Sequence, residues 1–203
     1  MKRNRIAWMW FLYLCAVPWI AYGQWEVGPP PGRDFFTAGE DAERLRDLGL
    51  NDLYHTNRVV HSIKVGRYDE AIADLKFVLD KWPNHPRALL LIESVGKMTQ
   101  VPTLPIPYYE KALQMYPQYA ITYAQYGKYL VEIEQSEKGI QHLKLAIEKD
   151  EKLVAAHVWL AEAYSKHGQK QLAKKEAEVA RSLGFQGELP SDVEPVTKSS
   201  RGK

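Results

Sequence analysis

One cysteine, Cys15, is all that this 203-residue chain carries, and it lies in an apolar N-terminal run with the layout of a removable leader. Without that run the chain has no thiol to oxidise and no cysteine nucleophile. An excess of one charge is lacking too: 27 Lys and Arg stand against 25 Asp and Glu, a formal net charge of +2. Loss of Lys2, Arg3 and Arg5 with the leader leaves −1, which offers no broad attraction to nucleic acid or anionic lipid. Neither Gly-x-Gly-x-x-Gly nor a P-loop is written in the chain, so no phosphate cradle is expected. No Gly-x-Ser-x-Gly elbow appears. The six histidines, His55, His61, His85, His142, His157 and His167, include no pair four apart on one helix, as a zinc pair requires. The expectation is no catalytic residue, no metal, no cofactor and no nucleic-acid partner.

What is present begins with three basic residues and an apolar run from Ile6 to Gly23, broken by Pro18. Ala21-Tyr22-Gly23 places small residues where a signal peptidase reads them, so 1–23 is expected to be a signal peptide cleaved after Gly23. The alternative is an uncleaved anchor over residues 6–23, since the run approaches the shortest membrane span. Either way the remainder is exported, periplasmic or secreted, and meets a membrane only through this segment. Residues 24–50 read as a Pro-rich linker, Val27 to Phe36, followed by a short helix from Ala38 to Leu48. Thr37 and Glu40 have capping-box spacing there, and Gly49 is the expected stop. Gln186 to Lys203 is polar, holds two prolines and has no apolar period, so 186–203 reads as a disordered tail.

The stretch from 51 to 185 matches itself when slid by 34 residues. Val78, Ala112, Ala146 and Ala180 share one slot; Leu75, Tyr109, Leu143 and Ala177 share a second. Pro83, Pro117, Glu151 and Phe185 share a third, and Gly66, Gln100, Glu134 and Gly168 a fourth. Small residues recur where helices must touch and turn residues where they must end. A period of this length marks a helix-turn-helix unit that buries its apolar face only by stacking on its neighbours.

Gly66-Arg67-Tyr68-Asp69-Glu70-Ala71 opening a helix that Trp82-Pro83 closes resembles the tetratricopeptide repeat. Leu160-Ala161, Tyr164, Gly168, Ala173 and Ala180 repeat the pattern, and Tyr123, Tyr126-Gly127, Leu143 and Ala146 supply it in between. The resemblance implies an all-α, right-handed α-solenoid of about four helix-turn-helix repeats. Departures are Gly139 for the usual alanine, Glu151 for the proline, and Arg58 and Ser62 at positions expected to be apolar. In the second unit Gln100-Val101-Pro102-Thr103-Leu104-Pro105-Ile106-Pro107 displaces the start of the second helix to Pro107. That segment reads either as a recognition loop or as a loop packed on its own unit. Gly184 and Phe185 can end the last helix and fold over the final layer.

In such a solenoid the first helix of each unit lines a concave face. The resemblance places Leu90, Ser94 and Lys97, then Ile121, Ala124, Lys128 and Val131, then Val158 and Glu162 there. An apolar strip of that kind marks an interaction surface. Its occupant is either a partner peptide or helix, or the chain's own Phe35 to Leu48. Seven of the twelve tyrosines lie between Tyr108 and Tyr129; Tyr109, Tyr123 and Tyr126 fall in packing slots, whereas Tyr108, Tyr119 and Tyr129 are the surface candidates. The expected function is a non-enzymatic protein-binding scaffold of a bacterial cell envelope. A self-associating envelope subunit, or an enzyme with an unfamiliar site, are the alternatives.

Overall fold

Gly66, Gln100, Glu134 and Gly168, the four residues of one slot, all adopt the left-handed backbone conformation, with φ of +76°, +58°, +67° and +71°. Each sits at the same kind of turn. The next residue's N–H donates to the carbonyl five residues back: Arg67 to Ser62, Val101 to Gly96 and Gln135 to Leu130 at 2.8 Å, and Gln169 to Tyr164 at 2.9 Å. This is the Schellman ending, which satisfies carbonyls that a helix otherwise leaves open. One turn chemistry, used four times, ends the first helix of each unit, and in the first, third and fourth units the second helix then packs back alongside it.

The structure is a computed structural model that describes residues 32–189. The expected leader, most of the linker, and the tail beyond Leu189 lie outside the described residues. Among the described residues every regular element is a helix: a 3₁₀ turn Ala38–Glu40, α1 Ala42–Leu50, a π-helical turn Asn51–Thr56, α2 Asn57–Lys64 and α3 Tyr68–Lys81. α4 Pro86–Met98, α5 Ile106–Met115, α6 Ala120–Glu132, α7 Ser136–Lys149, α8 Val154–Lys166 and α9 Lys170–Ser182 follow. First helices α2, α4, α6 and α8 line up against one another, and each second helix, α3, α5 and α7, also lies on the first helix of the next unit. That is a helical repeat solenoid.

Its core is the run of slots facing these contacts. Ala71, Leu75, Val78, Leu89, Ile92 and Tyr109 are fully buried in one cluster, and Leu143, Ala146 and Ala163 in the next. Burying each leucine contributes about 1.5–3 kcal/mol. The final layer closes on Phe185 and Leu189, packed with Val158, Ala161, Ala177 and Ala180. Gly184, at φ +98°, makes the fifth Schellman turn, with Phe185 N–H 3.0 Å from the Ala180 carbonyl. The expected disordered tail therefore starts too early: residues 186–189 return to the body, because Leu189, only 1% exposed, fills the layer that no further repeat covers.

The N-terminal part also departs from expectation. Asp41, not Thr37, caps the first α-helix, its Oδ1 accepting from the N–H of Glu43 at 2.8 Å and of Arg44 at 3.2 Å. These bonds hold the Asp41 carboxyl below its ordinary range. Gly49 does not stop the helix, which continues from Ala42 through the π turn to Lys64. Asn51 Nδ2 donates to the Asp47 carbonyl at 2.7 Å, and Asp52 receives the Thr56 hydroxyl and meets His85 Nε2 at 3.0 Å. Side chains thus hold the widened turn in register without a left-handed residue. Segment 32–41 runs over the α3–α4 and α5–α6 turns. Arg33 N–H reaches the Lys81 carbonyl at 2.6 Å, Phe35 N–H reaches Asn84 Oδ1 at 2.9 Å, and Tyr116 donates its hydroxyl to the Gly32 carbonyl.

The second unit is built around a misfit. Slot by slot, Val59, Glu93, Gly127 and Ala161 are equivalent, as are Ala71, Pro105, Gly139 and Ala173. Where both are glycine, α6 and α7 approach backbone to backbone. Where they are Glu93 and Pro105 the hairpin stays open, and α5 starts only at Ile106. The loop before it packs on its own unit: Tyr129 donates to the Pro102 carbonyl at 2.7 Å, and Gly96 leaves room for the Val101 carbonyl and the Pro105 ring.

Candidate functional site

The first helices α4, α6 and α8 pack in succession, and the residues expected to line a groove along them divide into two sets. Leu90 is 40% exposed, Lys97 and Glu162 are exposed, and Ser94, Ile121 and Lys128 are half-buried. Ser94 returns its hydroxyl to the Leu90 carbonyl at 3.1 Å, so its polarity is spent within the helix. Leu90 and Ile121 stay available as apolar contacts.

The other three expected groove residues are interior. Ala124 is fully buried, and Val131 and Val158 are 9% and 8% exposed. Val131 fills the space beside Gly139, its Cγ2 lying 2.6 Å from where a Cβ on that glycine would stand. Val158 is held beneath Leu189. A place on a first helix therefore does not by itself leave a side chain open, because neighbouring helices and the Leu189 segment cover some of these positions.

Charge is concentrated at the middle of the face. Glu132 receives both Lys97 and Lys128. Lys128 also lies 5.8 Å above the Trp159 ring, and Lys97 5.8 Å above Tyr129, distances at which a cation is attracted to the ring face. Burial pushes the Glu132 carboxyl up, but the hydrogen bonds from the two lysines outweigh it and hold the group ionised. Burial raises Glu162, with Lys128 partly opposing. Behind them Glu93, 4% exposed, accepts the Tyr109 hydroxyl. Burial pushes Glu93 up to about 7, and Tyr109 is raised well above its ordinary value by burial and by Glu93. Glu93, Glu132 and Trp159 escaped the sequence reading. Only Glu93 left a signal, as a carboxylate in a slot otherwise held by valine, glycine and alanine.

The surface tyrosines fare differently. Tyr129 is fully buried, a correction that follows from its hydroxyl having a partner inside, the Pro102 carbonyl. Tyr119 is half-buried, covered by the Phe36 ring at 4.3 Å and bonded to Asp34. Tyr108 is half-buried, and burial raises its hydroxyl. Phe35 and Phe36 are also not in the groove: Phe35 packs on His85 at 4.7 Å and Phe36 on Tyr119. Leu45 remains 54% exposed. The segment from Phe35 to Leu48 thus spends its aromatic rings on the turns, and Leu90 stays exposed with Ile121 half-buried.

Stacked helices with one turn chemistry repeated every 34 residues make this a helical repeat solenoid with a tetratricopeptide-like fold. No family model matches the chain, and no curated protein matches it. Solved structures do. A crystal structure of MamA protein is 22% identical over 66% of this chain and 74% of its own, with a TM-score of 0.50. MamA 41-end from Desulfovibrio magneticus RS-1 is 22% identical over 64% and 73%, also at 0.50. YrrB, a TPR protein with an unusual peptide-binding site, is 14% identical over 70% and 74%, at 0.49. At such identities the likeness to MamA shows the fold alone.

Proposed function

We propose that the chain is a non-enzymatic scaffold that binds a peptide or helix of another protein along the concave face of α4, α6 and α8. The observation that carries this reading is the exposure of Leu90 on α4, with Ile121 half-buried on α6 and the Lys97–Glu132–Lys128 cluster joining the same two helices. A preformed surface of this kind needs little ordering when a partner arrives. The cluster selects register through charge, and the apolar residues supply contact area. The basic start and apolar run of residues 1–23 support export to a cell envelope, as a soluble domain or one anchored by residues 6–23.

The test is affinity capture from envelope extracts with the native chain and with Leu90→Glu/Ile121→Glu. The native chain is expected to retain a defined protein that the variant loses, with helicity and melting unchanged. Equal capture by both would reject the groove. Fractionation of cells expressing the full chain, with the material recovered in the cytosol, would reject export.

A further inference from the structure

Positions 54 and 58 recur one, two and three repeats later as Ala88, Thr122 and Ala156, and as Ile92, Tyr126 and Leu160. None of these six is more than 5% exposed. They are covered by the second helix of the preceding unit, α3 on α4, α5 on α6 and α7 on α8; Tyr109 of α5, for one, stacks on Tyr126 of α6 at 5.0 Å. In the first repeat the same positions are open. Tyr54 is 64% exposed and the Arg58 side chain 62%. Leu50 and Phe77, beside them, are 44% and 49% exposed. Among the described residues no helix takes the covering place.

The surface there is shaped to receive one. A cavity of about 230 Å³ lies between the π turn and α3, with Leu50, Asn51, Tyr54 and Phe77 in its walls and the polar Asp47, His55 and Lys81 completing them. The wall is unfinished as a core surface, since Asn51 is 4% exposed and its Oδ1 has no donor. Charge narrows the choice of occupant. Arg33 and Lys81 share Asp47, at 2.7 and 2.6 Å, and Arg58 and His55 share Asp74. Glu70 also acts on Arg58 and pairs with Arg67 at 3.2 Å, so four permanent cations face three carboxylates. Two copies meeting here would oppose like charge, and the far end of another copy is closed by its own Phe185 and Leu189.

We infer that the outer end of the first repeat docks an acidic amphipathic helix of another protein, seated where the second helix of a preceding repeat would lie. One apolar side chain of that helix enters the cavity as an anchor, and its acids meet Arg58, Lys81 and Arg33. This surface is separate from the groove, so the two proposals stand or fall independently.

The probe is a labelled, stapled helical peptide with the α7 sequence Ser136–Lys149 carrying Lys138→Glu and Lys144→Glu, titrated against the full chain by fluorescence anisotropy. Saturable binding that weakens with salt is expected. Tyr54→Glu/Phe77→Glu, whose exposed positions leave helicity by circular dichroism unchanged, should weaken it at least about tenfold. Leu90→Glu should leave it unchanged. No saturable binding, or equal loss in Leu90→Glu, overturns the inference. So does sedimentation showing a dimer of the native chain that the double variant abolishes, because the occupant would then be a second copy.

Discussion

Gly127 and Gly139 face each other across α6 and α7 so closely that a Cβ on Gly139 would stand 2.6 Å from the Gly127 carbonyl oxygen, and one on Gly127 2.8 Å from that of Gly139. The obstruction on each side is backbone, which cannot swing away. Alanine at position 139 would normally favour a helix by about 1 kcal/mol over glycine. Here the helices must part, at a cost of about 1–3 kcal/mol. Gly139→Ala is therefore expected to lower stability in urea unfolding despite its better helix propensity. A raised midpoint would mean that this hairpin separates freely.

The left-handed slot makes a prediction of opposite sign. Gln100 and Glu134 hold φ of +58° and +67°, where a side chain crowds the backbone. Their equivalents Gly66 and Gly168 meet no such crowding. Glu134 is exposed and joins only a 3.5 Å contact with Lys166, so little else is lost on replacement. Glu134→Gly should stabilise by about 0.5–1 kcal/mol, and Gly168→Ala should destabilise by about 1 kcal/mol. Thermal melts of the two variants check both signs. A destabilised Glu134→Gly would show that the Lys166 contact outweighs the backbone strain.

Glu93 ties stability to pH. Its carboxyl is raised from 4.5 to about 7 in the folded chain, so the native state holds a proton that the unfolded chain has released. Stability from this group is full below about pH 4.5, declines as pH rises, and reaches its lowest level above about pH 7. The loss is on the order of 3 kcal/mol at most. Lys97 and Lys128 favour ionisation, whereas Glu132 opposes it. Glu93→Gln cannot ionise and can still accept the Tyr109 hydroxyl. Its urea midpoint should change less between pH 5 and pH 8 than that of the native chain. Parallel pH profiles for the two proteins would refute the assignment.

Much of the fold was legible because the repeat is a statement about helix ends and contacts, and both are local in sequence. The slot of Gly66, Gln100, Glu134 and Gly168 fixed every first-to-second helix turn, including two made without glycine. The exposure of the expected groove positions was not legible. Ala124 and Leu90 both belong to first helices, yet one is fully buried and the other 40% exposed. Exposure depends on how far each neighbouring helix reaches, which spacing does not encode. The continued helix past Gly49 was hidden for another reason: its bracing comes from Asp52 meeting His85, 33 residues on. Leu189 was missed because one apolar residue in a polar tail carries no period.

Leu90 and Val158 make the last of these distinctions measurable. Both lie on first helices and both were expected in the groove, but Leu90 is 40% exposed and Val158 8%. A glutamate at position 90 stays in water and should change stability by no more than about 0.5 kcal/mol. A glutamate at position 158 must either bring a charge among Ala161, Ala177 and Leu189 or expel the Leu189 segment. Val158→Glu is expected to lose more than about 3 kcal/mol in urea unfolding. Limited proteolysis should then cut behind Phe185 well before the repeats unfold. An unaffected Val158→Glu would mean that residues 186–189 do not close the final layer, and that Val158 belongs to the open groove after all.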